Sequence, residues 1–487
     1  MKKTTIAASI AILGLAWVGA SWYSGKQLES WYQEALIQSN TNLQHDYPTA
    51  KLSMQLQSYE RGLFSSNARV SLSVDLGCGP ARELLFVDQL SHGPFPLALL
   101  QQGSLKPMLA SSRSTLQENP DVKAWFLAAQ GAAPLKTDMQ ISYGGDLDGT
   151  LTLAPLNMAD EQAALRFSGT TMQLHIGEQG RLTRFSADIE SLRYGSSEEY
   201  SMGMNIRGLH QSSELRRNDA GVLLGTASNA SKVSTLLQGQ QVLLKGQDYT
   251  ETTTTTQADN GIAISSNITL GQLSYRDTNL GSAQATVQAE RLPAEAYTVL
   301  NSMLKLSELR SMVCQTQSDE LNAQESAALK QILPALLQAQ PTFSLKPLVL
   351  KNEQGQATAN LSITLQPVAN LPESFDDLFP QAFEKLAFDM QIAKPMLAGF
   401  IAQEAIQEGK PAAQAQAEAL DIANALGSMG SVLGLITVQN DTLSSSIHYA
   451  ADGITINGKL LSLNALTQLL SNMGSDFMNM GSNALQH

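Results

Sequence analysis

An alternation of apolar and polar residues with a period of two, repeated along most of the chain, limits what it can fold into more than any other feature. In KLSMQLQS, Leu52, Met54 and Leu56 alternate with Lys51, Ser53, Gln55 and Gln57; in RVSLSVDL, Val70, Leu72, Val74 and Leu76 alternate with Arg69, Ser71, Ser73 and Asp75. Successive strand side chains point to opposite faces, so both segments read as half-buried strands. The pattern returns at residues 150–153, 172–176, 185–189, 202–206, 262–270, 285–289, 359–365 and 454–456. Turn residues separate many of these, among them Gly144-Gly145, Glu178-Gln179-Gly180, Asn260-Gly261 and Asp452-Gly453. Strands joined by such turns predict an antiparallel meander with one dry and one polar face. The threonine run of ETTTTTQ, residues 251–257, is β-branched and reads as a polar strand, with a sheet edge as one option for its place.

Helical spacing takes over in four blocks: 294–315, with Val299, Leu300, Met303 and Leu304; 322–338, containing Pro334; 395–408, opening on Pro395; and 413–433, with Ala419, Ile422, Ala423, Leu426 and Met429. Their repeating residues are simply apolar, the pattern of helices packed on a core. Residues 463–480 read as a last helix rich in methionine, suited to core packing or self-contact. The predicted fold class is α+β: a large antiparallel β-sheet meander with helices packed against it, preceded by one N-terminal transmembrane helix. The expected divisions are 1–25 as membrane anchor or signal peptide, 26–290 as a β-rich exported region, 291–342 as a helical segment and 343–487 as mixed strands and helices. LTLAPLNM at Leu151 weakly echoes FSLKPLVL at Phe343, a match too short to establish a duplicated sheet unit.

The first 26 residues, MKKTTIAASIAILGLAWVGASWYSGK, carry Lys2 and Lys3, an apolar run from Ile6 to Tyr23, and then Lys26. A run of about 18 residues just crosses a hydrocarbon core, so anchor and cleavable signal are both physically available. Val18-Gly19-Ala20 before Ser21 is an acceptable processing site. Against cleavage, Trp17, Trp22 and Tyr23 sit where an aromatic belt meets the far interface, and the apolar run continues past the cut. Ala7, Ala11, Gly14 and Ser21 lie near one helical face, open to close approach by a second helix. A retained anchor is the favoured expectation, with Lys2 and Lys3 cytoplasmic and the bulk of the chain exported.

Composition narrows the chemistry. The net charge of -13 and the lack of a long basic stripe argue against a nucleic-acid partner. Cys78 and Cys314 are the only cysteines, free to pair in an oxidising compartment or to stand apart, and neither has a cationic activator beside it in sequence. The six histidines (His45, His92, His175, His210, His448 and His487) form no pair at i, i+4, and neither HExxH nor CxxC occurs, so no metal site is expected. There is no GxSxG elbow, and Asn457-Gly458-Lys459 lacks the glycine-rich loop of a phosphate cradle. Asp146, Asp148 and Gly149 read as a hairpin turn, not a calcium loop, and Glu198-Glu199 and Asp376-Asp377 as solvated surface. No catalytic residue and no cofactor is expected.

What remains unusual is architectural. The KK-plus-apolar start ending WYSGK is followed by YERGLFSS, with Tyr59, Arg61, Gly62, Phe64, Ser65 and Ser66. Then come HGPFP, with His92, Gly93, Pro94, Phe95 and Pro96; LKPLVLKNEQG, with Pro347, Leu348, Asn352 and Gly355; and IHYAADGITINGKLLSL, with Asp452, Gly453, Asn457 and Gly458. In this order the chain resembles the YdgA-like family of uncharacterised bacterial envelope proteins. The resemblance implies an inner-membrane-associated, periplasm-facing protein of unassigned activity, with self-association as a homodimer an open option. It supplies no catalytic residue.

These positions make structural sense without catalysis. Gly62 is expected to take a positive φ where one strand folds back, with Tyr59 and Phe64 burying their rings beside it. In HGPFP two prolines fix φ, hold Gly93 and Phe95 extended and remove two donors; Phe95 is then expected as an apolar plug and His92 as a hydrogen-bonding corner. Two readings of function follow. One is a membrane-anchored, non-enzymatic structural or interaction protein of the cell envelope. The alternative is a carrier or binder of lipid or another apolar ligand, in which the dry strand faces form a groove. A filled core favours the first and a wide apolar groove the second.

Overall fold

The computed structural model describes residues 2–77, 79–159, 164–195, 202–239, 241–258, 260–276, 278–313, 322–369, 372, 378, 381–450 and 453–461. Cys78, Cys314, Glu198-Glu199, Asp376-Asp377, Asp452, His487 and the tail helix expected at 463–480 therefore lie outside the described residues. The chain divides into two compact units, unit 1 comprising residues 1–257 and 293–333, and unit 2 comprising 258–292 and 334–487.

Unit 1 opens on helix α1, Lys2–Asp46. Its first proline-bearing stop is Asp46-Tyr47-Pro48, and the residue before a proline is pushed out of helical geometry, so the helix runs to that point. The helix that holds the expected anchor segment thus continues past residue 25 to Asp46. Among the described residues no helix is long and apolar enough to cross a membrane, and the described side chains of α1 begin at Ala16. From Ser21 onward α1 is part of the fold of unit 1.

The strands of unit 1 are β1 (Lys51–Arg61), β2 (Ser65–Asp75), β3 (Arg82–His92), β4 (Ala110–Leu116), β5 (Leu135–Ile141), β6 (Leu147–Leu153), β7 (Leu156–Ala159), β8 (Ala164–Phe167), β9 (Thr170–Gly177), β10 (Leu182–Gly195), β11 (Met202–Arg217), β12 (Leu223–Gln238) and β13 (Gln241–Ala258). They pair antiparallel in the order β1-β2-β3-β4-β5-β6-β9-β10-β11-β12-β13, and the β7–β8 hairpin joins the far end of β10. ETTTTTQ lies within β13. Short helices α2 (Leu97–Gln101) and α3 (Lys123–Ala128) interrupt the meander, and α4 (Ala294–Val313) returns to this unit. Phe126 of α3 closes a small core with Leu116 and Val122.

Unit 2 holds β14 (Gly261–Tyr275), β15 (Thr278–Leu292), β16 (Thr342–Asn352), β17 (Gly355–Leu365), β18 (Phe383–Ala393), β19 (Thr437–Gln439), β20 (Thr442–Ala450), β21 (Gly453–Ile456) and β22 (Lys459–Leu461). The order is β14-β15-β16-β17-β18-β20-β21-β22, with β19 on β20. Helix α5 (Ala323–Gln338) carries Pro334 inside it, its residues up to Leu333 belonging to unit 1 and the rest to unit 2, and helices α6 (Lys394–Gln407) and α7 (Ala412–Val432) form a hairpin in unit 2. Ala398 and Ala402 of α6 meet Ala419 and Ala423 of α7, and these small side chains let the two backbones approach closely. The two echoing octapeptides differ in structure: Pro155 separates β6 from β7, whereas Pro347 lies inside β16. The α+β meander expected from the alternation is the fold.

Candidate functional site

Two regions gather the unusual residues, and the first is the seat of α1 on unit 1. Leu28 is fully buried against Ala68, Leu90, Ala110 and Ile141, with Trp31, Tyr32, Leu56 and Tyr59 packed around it. The fingerprint residues converge on the same helix. Phe64 stacks on Trp17 at 5.0 Å, Tyr59 packs tilted against Tyr32 at 5.8 Å, and Arg61 bonds Glu29 at 3.1 Å while lying over the Trp22 ring. Ser66 is buried one strand pairing away from Arg61, and Ser65 pairs with Ser91.

His92 ends β3 and is 1% exposed; its Nδ1 lies 3.0 Å from the Ser21 carbonyl, a distance that assigns the ring proton to Nδ1. Burial pushes its pKa down, and the carbonyls of Ser21 and Ser65 oppose that shift. Gly93 has φ 127, a backbone open to glycine, and a Cβ there would fall 2.4 Å from Ser21 Oγ. Gly25 faces the His92 ring as closely, its own Cβ position lying 2.5 Å from Cε1. HGPFP is therefore a socket that admits a helix at backbone distance. Two expectations need correcting. Phe95 is 38% exposed and is no plug, because the short helix beginning at Leu97 turns Pro96 inward instead. Gly62 has no positive φ; its constraint is space, since a Cβ would lie 2.8 Å from the Ser65 carbonyl that its own N–H bonds.

Further along, the Asn40 side chain behaves as a strand: Nδ2 donates to the Met54 carbonyl at 2.8 Å and Oδ1 accepts from the Met54 N–H at 2.7 Å. This satisfies the free edge of β1. Asp46 receives both terminal nitrogens of Arg217 at 2.7 Å, and that pairing together with His45 holds its carboxyl below the usual range against the opposing effect of burial. Beneath the helix, Tyr32 donates to Asp88, a 9%-exposed carboxylate whose pKa burial raises and whose Oδ1 has no hydrogen-bond partner. Sequence reading missed Tyr32, Asn40, Asp46 and Asp88; the legible signal was the unbroken helical composition between Lys26 and Pro48.

The second region is the dry face of the unit 2 sheet. Directly opposed residues share a face, so the register defines cross-strand rows. One row runs Leu270, Ala283, Leu350, Ala357, Ile392, Leu443; the next Ile268, Ala285, Leu348, Ala359, Met390; then Val287, Leu345, Leu361, Phe388, Ile447; then Ile264, Ala289, Phe343, Ile363, Leu386, Tyr449. Leu443 is buried beside Gly427 of α7, yet no residue of β16, β17 or β18 is buried on either face. Leu348 and Met390 are each 38% exposed and Val287 43%. Pro347 and Leu348 thus lie on this face's strand β16, Asn352 and Gly355 make its hairpin to β17, Gly453 makes the β20–β21 hairpin, and Asn457-Gly458 the β21–β22 turn.

The face also has relief. Large residues crowd β14, β16 and β18, while β15 and β17 offer Ala283, Ala285 and Ala289, and Ala357 and Ala359. Two short small-residue troughs result, at Ala283 and Ala285 of β15 and at Ala357 and Ala359 of β17, closed off by Val287 on β15 and by Leu361 and Ile363 on β17.

The polar face of unit 1 offers different chemistry. A hollow of about 590 Å³ is lined by Asp148, His175, Arg184, Glu214 and neighbouring serines. Its polar groups meet in cross-strand pairs, His175 with Asp148 at 2.7 Å and Arg184 with Glu214 at 3.0 Å, the Arg184 hydrogen bond holding Glu214 below its ordinary pKa. Asp146 lies in the turn before β6 as expected, whereas Asp148 and Gly149, expected in the same turn, lie within β6. Among the described residues no group of three or more His, Cys, Asp or Glu is placed to hold a metal ion.

A bacterial family of unassigned chemistry, built on a long antiparallel meander with helices against it, is the class that these features define. The family described as "Bacterial protein of unknown function (DUF945)" matches residues 1–464, and the chain belongs to it. The chain is 27% identical over 480 residues to Protein YdgA of Escherichia coli K12, covering 95% of both chains. It is 22% identical over 488 residues to the uncharacterized protein YihF of the same organism, covering 95% of this chain and 97% of the relative. No solved structure matches.

Proposed function

We propose that this chain is an inner-membrane-tethered, periplasm-facing envelope protein that binds the acyl chains of a lipid on the open apolar face of unit 2, without enzymatic activity. One observation carries the reading: a sheet face made of leucine, isoleucine, phenylalanine, methionine and alanine has no buried residue across three adjacent central strands. An apolar face of that size left in water costs about 25 cal/mol per Å², and soluble proteins rarely expose one unless something covers it in use. The troughs over Ala285 and Ala359 are one small side chain deep and walled by Leu348 and Met390, an apolar lining that suits hydrocarbon. The N-terminal apolar run is the proposed tether, continuous through α1 with the seat on unit 1. That filled seat is the feature favouring the second reading, a purely structural envelope protein.

Organic extraction of the purified full-length chain separates the two. The carrier reading expects extracted lipid in stoichiometric amount, falling several-fold when Leu348→Asp and Met390→Asp place charge on the face. Lipid-free protein, or lipid unaffected by both substitutions, would refute it.

A further inference from the structure

We propose that the end of unit 1 from which α1 emerges is a collar lying in the near leaflet of the bilayer, with the β1–β2 turn and the loop between β3 and β4 entering the lipid around the helix. The inference rests on the N-terminal run being the tether. From Ile6 to Tyr23 that run is about 18 residues, about 27 Å of helix against a hydrocarbon core of about 30 Å, so it has no residues to spare. Unit 1 nevertheless grips its last two turns. Phe64 stacks on Trp17, His92 bonds the Ser21 carbonyl with Gly93 against the same serine, and Arg61 lies over Trp22. Without those turns the stretch from Ile6 to Ala16 spans about 16 Å, half of what a crossing needs. The helix is unbroken from Lys2 to Asp46, so no hinge separates the run from its seat. Crossing and seating are compatible only where the loops that touch residues 17–22 stand at the depth of those residues, up to about 9 Å inside the end of the run.

The loops suit that depth. β1 ends, β2 begins, β3 ends and β4 begins at this end of the sheet, and residues 62–66 and 93–109 contain a single charged side chain, Lys106. Leu63, Phe95, Leu97 and Leu105 are exposed in them, Leu105 at 76%, and Trp22 and Tyr23 are exposed on the helix itself. At a leaflet the leucines and Phe95 reach the acyl boundary, and the indole and phenol rings take the interfacial position they favour. Apolar surfaces that lie on a bilayer enter it by about 5–10 Å, which matches the depth the helix requires. Backbone at that level must find partners within the protein. In the β3–β4 loop Pro94, Pro96 and Pro107 have no N–H, and the N–H groups of Gly93, Leu99, Gly103, Ser104, Met108 and Leu109 are bonded to protein carbonyls. Lys26, one helical turn past Tyr23, and Lys106 supply cations for lipid phosphates.

Quenching by lipid-borne nitroxide in the full-length chain tests this. With Cys78 and Cys314 replaced by serine, a bimane label is attached through Leu63→Cys, Leu105→Cys or Leu127→Cys. Leu127 is the control, 70% exposed on α3 at the other end of β4. Each protein is reconstituted in vesicles of phosphatidylethanolamine and phosphatidylglycerol, with and without a phospholipid carrying a nitroxide on its acyl chain near the glycerol. Labels at positions 63 and 105 are expected to shift to the blue and to lose fluorescence several-fold with the nitroxide lipid, and the label at 127 to do neither. Protein that floats with the vesicles after a high-salt wash while all three labels stay unquenched would keep the tether and overturn the collar. Blue-shifted labels at 63 and 105 that the nitroxide lipid does not reach would show a protein covering the loops, and would overturn it too. Protein that does not float at all would refute the tether and the collar with it.

Discussion

His92 sits where α1 docks on unit 1, its Nδ1 bonded to the Ser21 carbonyl. Its ring is buried, and its pKa lies below the ordinary value of 6.5 because desolvation disfavours the charged form. The folded protein therefore holds fewer protons at this site than the unfolded chain between the lowered value and 6.5. Stability is full above that window and falls as the pH drops through it. Thermal unfolding of the full chain followed between pH 7 and pH 5 is expected to show a falling midpoint that His92→Gln flattens; an unchanged slope would remove His92 from the account. Asp88 runs the other way. Burial raises its pKa, so the protonated form is favoured in the fold and the stabilisation is lost as pH rises through the raised value, leaving a cost at neutrality. Asp88→Asn keeps an acceptor for Tyr32 and removes the charge. It is expected to stabilise by about 1–2 kcal/mol at pH 7, with the gain shrinking near pH 4. A destabilised variant at pH 7 would show that Asp88 is needed as a carboxylate.

Docking of α1 is where sequence and structure diverge most instructively. Alternation made the strands legible, because Leu52, Met54 and Leu56, or Val70, Leu72 and Val74, announce their face through a period no helix shares. The continuation of α1 to Asp46 was less legible, since an apolar N-terminal run invites a boundary at its end and residues 26–46 carry no apolar stripe strong enough to override it. The socket was partly visible: HGPFP was recognisable as a corner, but that His92 bonds Ser21 across 71 residues of sequence, with Gly93 against the same serine, is a tertiary fact. Gly93→Ala combines a disfavoured φ with a collision against α1, and a loss of about 2–4 kcal/mol is expected, with faster proteolysis near residue 25. Asn40→Ala frees the edge of β1 and should cost about 1–2 kcal/mol. In unit 2 the alternating large and small strands give a contrasting forecast. Ala285→Leu and Ala359→Leu would each cost about 1–3 kcal/mol in a filled core. On an open trough they should leave the unfolding midpoint nearly unchanged and lower lipid uptake, and a large stability loss would show the trough to be filled.

At the scale of the whole chain, the two units solve the same problem differently. Each builds a long antiparallel meander whose one face is dry. Unit 1 covers part of that face with α1 and α3, whereas the central strands of unit 2 remain open among the described residues. The sequence alone left a filled core and a groove equally open, since Leu348 and Met390 alternate as a core residue would; what the register adds is that Ala285 and Ala359 stand between these larger neighbours. A photoreactive phenylalanine analogue placed in turn at Leu348, Met390 and Gln391 of the full-length chain in living cells tests the central claim most directly. Mass spectrometry should find lipid adducts at Leu348 and Met390 and none at Gln391. Adducts absent from all three positions, or equally abundant at Gln391, would contradict the account.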